Sequence, residues 1–291
     1  PLFLLAVGMC MVLLMQPPIG AAARRQNPKI VIVMISDGGG FNHVAAASLF
    51  EYGKTGAQPY EAFPVKLAMS TYPEGHEYVP ALAWRYFNYV SDAVGCTDSS
   101  AAATTMSTGV KTYDAAIGVD IDHQPLRHAI EVAETQGMAT GVVTSVEFSH
   151  ATPAGFVAHH PNRDTYDVIA RQMIYESRLE VIMGCGHPAY DEDGAMIARP
   201  REFKYVGGVN SWKDLSDGRV TGADADGNGT NDDWTVIFAR DEFQSLMAGP
   251  TPKRVIGIAK KLTTLQQARH PDPNAAPLAV PYNGDVPSLA E

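Results

Sequence analysis

The chain has 291 residues, 45% of them hydrophobic and 9% aromatic, and a formal net charge of −10 at neutral pH. That composition suffices for a packed core and excludes a largely disordered chain. So acidic a protein lacks the clustered Lys and Arg that neutralise nucleic-acid phosphates, which excludes nucleic acid as a partner; a small phosphorylated molecule stays open, because one metal-rich pocket can be positive on an acidic protein.

Leu2 to Met15 is almost wholly apolar and is followed by Pro17, Pro18, Gly20 and Ala21 to Ala23. This is the pattern of a secretory signal peptide over residues 1–23, cleaved near Ala23. The run is shorter than the roughly 20 apolar residues of a membrane span, so no stable membrane anchor is expected. The sequence opens on Pro1 without Met or a basic leader, which predicts an incomplete N-terminus. The protein is therefore expected to be exported, periplasmic or extracellular. Residues 24–291 fit one large α/β domain or two small ones. Cys10 falls in the leader, and Cys96 and Cys185 are expected as two buried thiols, a disulfide between them being left open.

Lys29 to Ile35 is a β-branched run that predicts a strand buried on both faces, ending at Asp37 and Gly38 to Gly40. By itself, Asp37 is also a plain turn-opening Asp. Cys96 to Tyr113 reads CTDSSAAATTMSTGVKTY. Its small residues allow a helix to pack closely on neighbouring backbone and leave a hydroxyl at its start uncrowded. The free N–H groups and dipole at such a start suit an anion. The same residues also describe an ordinary Asp or Ser cap on an alanine-rich helix.

Pro125 to Gln136 is predicted as a helix stopped by Gly137, Gly141 to Ser145 as a strand, Asp164 to Ser177 as a helix and Leu179 to Met183 as a strand. This alternation implies a parallel sheet with helices on both sides, an α/β/α sandwich. Ligands of such sheets gather at the carboxyl ends of the strands.

From His187 to about Arg240 the sequence turns rich in Gly, Asp, Asn and Arg and is expected as an insertion over the sheet, residues 187–240. Inside it, DADGNGTNDDW spans Asp224 to Trp234. Asp224, Asp226, Asn228, the Thr230 carbonyl and Asp232 have the odd-position spacing of a calcium loop. Thr235 stands where an EF-hand has its bidentate Glu, so the loop looks more like the short D-x-D-G-N-G-x-x-D loops of exported bacterial proteins. A solvated acidic turn is the alternative. Arg254 to Ile258 is a further predicted strand. Ser288 and Glu291 have capping-box spacing, the opening of a helix that the chain does not continue, which predicts a truncated chain.

IVIVMISDGGG (Ile30 to Gly40), the segment Asp98 to Thr104, STGVKTYDAAIGVD (Ser107 to Asp120) and SHATPAGFVAHHPNR (Ser149 to Arg163) together resemble the alkaline phosphatase family. The resemblance covers nearly all of the chain after the leader. It implies an alkaline-phosphatase-like α/β fold, incomplete here, and a phosphate monoester hydrolase that works through a phosphoserine intermediate with two Zn²⁺ and one Mg²⁺. Small-molecule phosphate esters would be its substrates, and a homodimer is admitted. Residue by residue, Ser99 matches the nucleophile, with Ser100 its rival. Asp37 matches the carboxylate bridging one zinc and the magnesium, and Thr152 the magnesium's hydroxyl ligand. Arg163, thirteen residues after His150, matches the phosphate-binding arginine, with Asp98 placed to orient it. His150 would act on the third metal through water at most, an ordinary loop histidine being the equal alternative. His159 and His160 are assigned no role. No segment after Arg163 matches the family's remaining Glu, Asp and His ligands, so the chain as it stands is expected to be inactive. The alternatives are a related phosphodiesterase or sulfatase, which the serine at position 99 disfavours, and a noncatalytic exported calcium-binding module.

Overall fold

The computed structural model describes residues 29–85, 96–265, 283–288 and 290–291. The predicted leader and Cys10 lie outside them. The chain divides into two units, Pro1–Gly56 and Ala57–Glu291.

In the first unit, residues 30–36 belong to no strand or helix, contrary to expectation. Ile30 and Ile32 are 77% exposed and Met34 90%. A strand buried on both faces needs a neighbour on each edge, and among the described residues no strand pairs with this stretch. Burial is a tertiary property that an apolar run cannot supply alone. Asp37 and Gly38 form a turn, closed by Gly39 N–H donating to the Ser36 carbonyl at 3.0 Å. Helix α1, Phe41–Tyr52, follows and is ended by Gly53 at φ 67°.

The second unit opens with the short helix α2, Pro80–Arg85, and is built on a sheet of four parallel strands. These are β1 (Gly141–Glu147), β2 (Val181–Cys185), β3 (Thr235–Ile237) and β4 (Val255–Ile258), in the order β1-β2-β4-β3. Val181 pairs with both Gly141 and Val255, which sets the register across the middle. The β1–β2 register shifts between Val143 and Glu147. Gly184 serves this irregularity, since a Cβ there would lie 2.8 Å from the Val146 carbonyl oxygen and 2.9 Å from the Phe148 nitrogen.

Phe148, Ile182, Ile256 and Ile258 join Ile169, Met173 and Ile174 in one core. Val206, Leu215, Val220 and Trp234 belong to the same core. The segment 187–240, expected as an insertion, thus packs into the main core and contributes the edge strand β3. Its local polarity hid four anchors, each worth about 1.5–3 kcal/mol when fully buried.

Helix α3, Ser99–Thr108, starts at its Asp98 cap and ends at Gly109, φ 77°. Its small residues meet α5, Ala151–Ala154, with little space between them. A Cβ on Gly155 would fall 2.7 Å from the Ala103 Cβ, and the Ser107 hydroxyl approaches the Gly155 carbonyl at 2.5 Å. Helix α4, Ala129–Glu134, begins later than predicted because Pro125 is bridged to Val119 and Leu126 N–H donates to the Gly118 carbonyl. It ends at Glu134 with Thr135 as its cap, two residues before the predicted end, and the turn that follows closes on Gly137 at φ 72°. Helix α6, Tyr166–Arg171, also starts late, at a Thr165 cap, and runs into a π-turn over Gln172–Glu176. Helices α7 (Val209–Ser216) and α8 (Arg240–Ser245) complete the unit. Both Cys96 and Cys185 are free thiols; Cys185 is buried as expected, Cys96 only half-buried.

Candidate active site

Asp98 is the hub of the site. As the cap of α3, its Oδ1 accepts the Ala101 N–H at 2.9 Å, satisfying one of the unpaired donors of the first turn. Its Oδ2 accepts the Ser100 hydroxyl, the Ala115 N–H at 3.0 Å and Arg163 Nη1 at 3.0 Å. Its own N–H donates to Asp114 Oδ1 at 3.1 Å. Burial acts to raise the Asp98 carboxyl, but the hydrogen bonds from Ala101, Ser100, Arg163 and Ala115 outweigh it and hold the pKa below its ordinary value. Burial raises that of Asp114.

These bonds separate the two serines. Ser100 is 0% exposed and its hydroxyl is committed to Asp98. Ser99, the first residue of α3, is half-buried at the anion-favouring end of the helix.

Arg163 is anchored through its backbone, its N–H donating to the Ala115 carbonyl at 2.8 Å. Its Nη2 lies 3.3 Å from His150 Nε2. Arginine only donates, so that imidazole nitrogen accepts. His150 is the cap residue of α5 and Thr152 lies within that helix. The structure thus brings Asp98, Ser100, Arg163 and His150 together around the α3 N-terminus. Asp37 sits exposed at the turn of the first unit. Sequence reasoning missed Asp114 and the Ala115 N–H, although both stand in the Ser107 to Asp120 segment that carried the resemblance.

In the acidic loop, Asp224, Asp226 and Asp232 carboxylates lie within 4.8 Å of one another. Asp224 Oδ1 accepts the Gly227 N–H at 2.8 Å, Asp224 Oδ2 the Gly229 N–H at 2.7 Å, and Asn228 Oδ1 the Thr230 N–H at 2.8 Å. Lys253 Nζ contacts Asp226 at 2.6 Å and Asp232 at 2.5 Å, and holds both carboxyls below their ordinary pKa. An ammonium therefore lies where two of the expected calcium ligands converge.

The alkaline phosphatase family model matches residues 28–254. The chain belongs to the alkaline phosphatase family. It is 36% identical to alkaline phosphatase 4 of Bacillus subtilis over 141 residues, which is 45% of this chain and 30% of that protein. It is 50% identical to the Escherichia coli alkaline phosphatase over 70 residues, 24% of this chain and 15% of that one. Among solved structures, a cold-active alkaline phosphatase from a psychrophilic Shewanella matches with a TM-score of 0.54 at 26% identity, over 78% of this chain and 45% of that one. A mutant of the TAB5 alkaline phosphatase with Mg bound matches with a TM-score of 0.52 at 25% identity, over 82% of this chain and 55% of that one. The matched region is therefore about half of each solved relative or less than a third of each curated one. The fold and the parallel sheet agree with the family expectation.

Proposed function

We propose that the protein is an exported phosphate monoester hydrolase in which Ser99 attacks phosphorus and is transiently phosphorylated. The observation that carries this reading is the Asp98 network, which spends Ser100 and aims the Arg163 fork from one carboxylate. In the proposed step, the Ser99 oxygen forms a bond to phosphorus as the phosphorus–ester oxygen bond breaks, Ser99 gives up its hydroxyl proton, and the leaving oxygen takes up a proton to depart as an alcohol. Arg163 holds the phosphoryl oxygens, and the first-turn N–H groups of α3 favour their charge. Water then cleaves the Ser99–phosphorus bond and releases phosphate.

The oxygen donors of Asp37 and Thr152 have the hard chemistry that magnesium takes. The described residues do not fit two zinc ions at Ser99. Groups of three or more His, Cys, Asp or Glu ligand atoms gather, among the described residues, at His128, Glu131 and His159 and at Asp224, Asp226 and Asp232. Neither group includes His150. His187 is packed against Tyr190, Trp212 and Phe238, with Nδ1 accepting the Ala189 N–H, and His270 lies outside the described residues. A catalytic zinc takes about three protein ligands and supplies nucleophile activation and leaving-group stabilisation. The chain as given is accordingly proposed to be inactive, and no step is assigned to zinc. Calcium belongs to this reading only as an ion that must displace Lys253.

In the full-length protein, phosphate trapped by acid quench should label Ser99. Ser99→Ala should lose most turnover and Ser100→Ala retain most. Label on Ser100 with Ser99 bare would overturn the assignment. Metal-supplied turnover by residues 1–291 alone, lost in Ser99→Ala, would overturn the incompleteness.

A further inference from the structure

His128, which the function above does not use, is 0% exposed, yet neither ring nitrogen has a hydrogen-bond partner among the described residues. Buried imidazoles normally pair at least one nitrogen. Its Nε2 edge is packed against backbone: a Cβ on Gly118 would fall 2.5 Å from His128 Nε2 and 2.2 Å from the Ala158 carbonyl oxygen. Its Nδ1 lies 3.5 Å from Glu131 Oε2. That approach is not a hydrogen bond, so the nitrogen keeps no partner.

Glu131 is fixed from the other side, since its Oε2 accepts the His128 backbone N–H at 2.7 Å. The His159 ring stands against that of His128, centroids 4.4 Å apart and tilted by 34°. Its Nε2 lies 2.8 Å from the Leu126 carbonyl oxygen. A carbonyl has no proton to give, so the proton sits on Nε2 and the lone pair on Nδ1. This outer hydrogen bond is the usual way a ligating histidine is oriented. One ligand atom each from His128, Glu131 and His159 lies within 4.8 Å of the others. Zinc bonds of about 2.0–2.1 Å require donor atoms about 3.4 Å apart, a contraction that the His159 ring and the Glu131 carboxylate would share on binding the ion. Glu131 and His159 also line a cavity of about 430 Å³, which provides an entry path and space for water.

We propose that His128, Glu131 and His159 form a zinc site, with a water from the adjoining cavity as fourth ligand. Two neutral imidazoles and a carboxylate are a zinc donor set, and nitrogen donors disfavour calcium and magnesium. The ion would tie the start of α4 to the segment that leads on to Arg163, so its role is to hold that segment in place.

The test uses the whole chain, stripped with chelator and titrated with Co²⁺ followed by visible absorption, then with Zn²⁺ by calorimetry. Wild type and His160→Gln should each develop ligand-field bands saturating at one equivalent at this site. Glu131→Gln should bind at least tenfold more weakly, and His159→Gln should lose the bands. Equal binding by all four proteins, or no stoichiometric binding by wild type, would overturn the proposal. Should His159→Gln fail to fold, long-range ¹H–¹⁵N spectra of wild type decide. Zinc must shift Nδ1 of both His128 and His159; unmoved Nδ1 resonances overturn the site.

Discussion

At Asp98 one carboxylate caps a helix, locks a serine and orients an arginine, and these roles share the same two oxygens. Asp98→Asn tests how strongly they are coupled. The amide oxygen can still accept from Ala101, but its NH₂ would then face the Ala115 N–H and Arg163, donor against donor. We expect a loss of about 2–3 kcal/mol in urea unfolding, the cost of unsatisfied, partly buried donors. Inorganic phosphate should also bind the full-length variant more weakly, because Arg163 loses its orienting partner. An unfolding midpoint indistinguishable from wild type would mean that the network is not formed in solution. The pairing of Asp98 with Arg163 was legible in the sequence, through the frames that carry the family resemblance. That Ser100 is the committed hydroxyl was not, because this depends on which way each side chain leaves the first turn.

Among the elements, β1, β2 and β4 were legible as short β-branched runs bounded by Gly or polar residues, and each lies within two residues of its expected position. The starts of α4 and α6 were not, because extended pairing at Pro125 and the Thr165 cap override helix propensity over the first residues. The run 30–36 has a strand's composition but no strand neighbour among the described residues, and periodicity cannot see neighbours. Lys253 is the same lesson in the acidic loop. It lies far enough along the chain from Asp226 and Asp232 that loop spacing gives no hint of it, yet it holds both. If the ammonium competes with calcium, Lys253→Met should bind Ca²⁺ at least tenfold more tightly than wild type in calorimetric titration. It should also gain protease resistance over residues 187–240 only when calcium is present. Equal affinities would show that the Lys253 contacts do not hold in solution.

Across the whole molecule, buried titratable groups pull the pH dependence of stability in opposite directions. His187 is buried against Tyr190, Trp212 and Phe238. Burial first, and then repulsion from Lys260, push its pKa from 6.5 down to about 4. The unfolded chain thus takes up the His187 proton more readily than the folded one. The contribution of neutral His187 is fully present above pH 6.5 and is lost progressively as pH falls towards 4, amounting to about 3 kcal/mol. His128, also buried and depressed, acts with the same sign. Glu134 and Glu147 act oppositely: burial raises both, so the folded chain takes up their protons more readily, and they favour the fold as pH falls through their raised values. Subtracting the curve of His187→Phe, which keeps the aromatic packing and removes the proton site, isolates the term. Urea unfolding between pH 7.5 and 4 should show wild type losing roughly 3 kcal/mol more than His187→Phe. Parallel curves would mean that His187 titrates alike in both states, and hence that water reaches the ring in the folded protein.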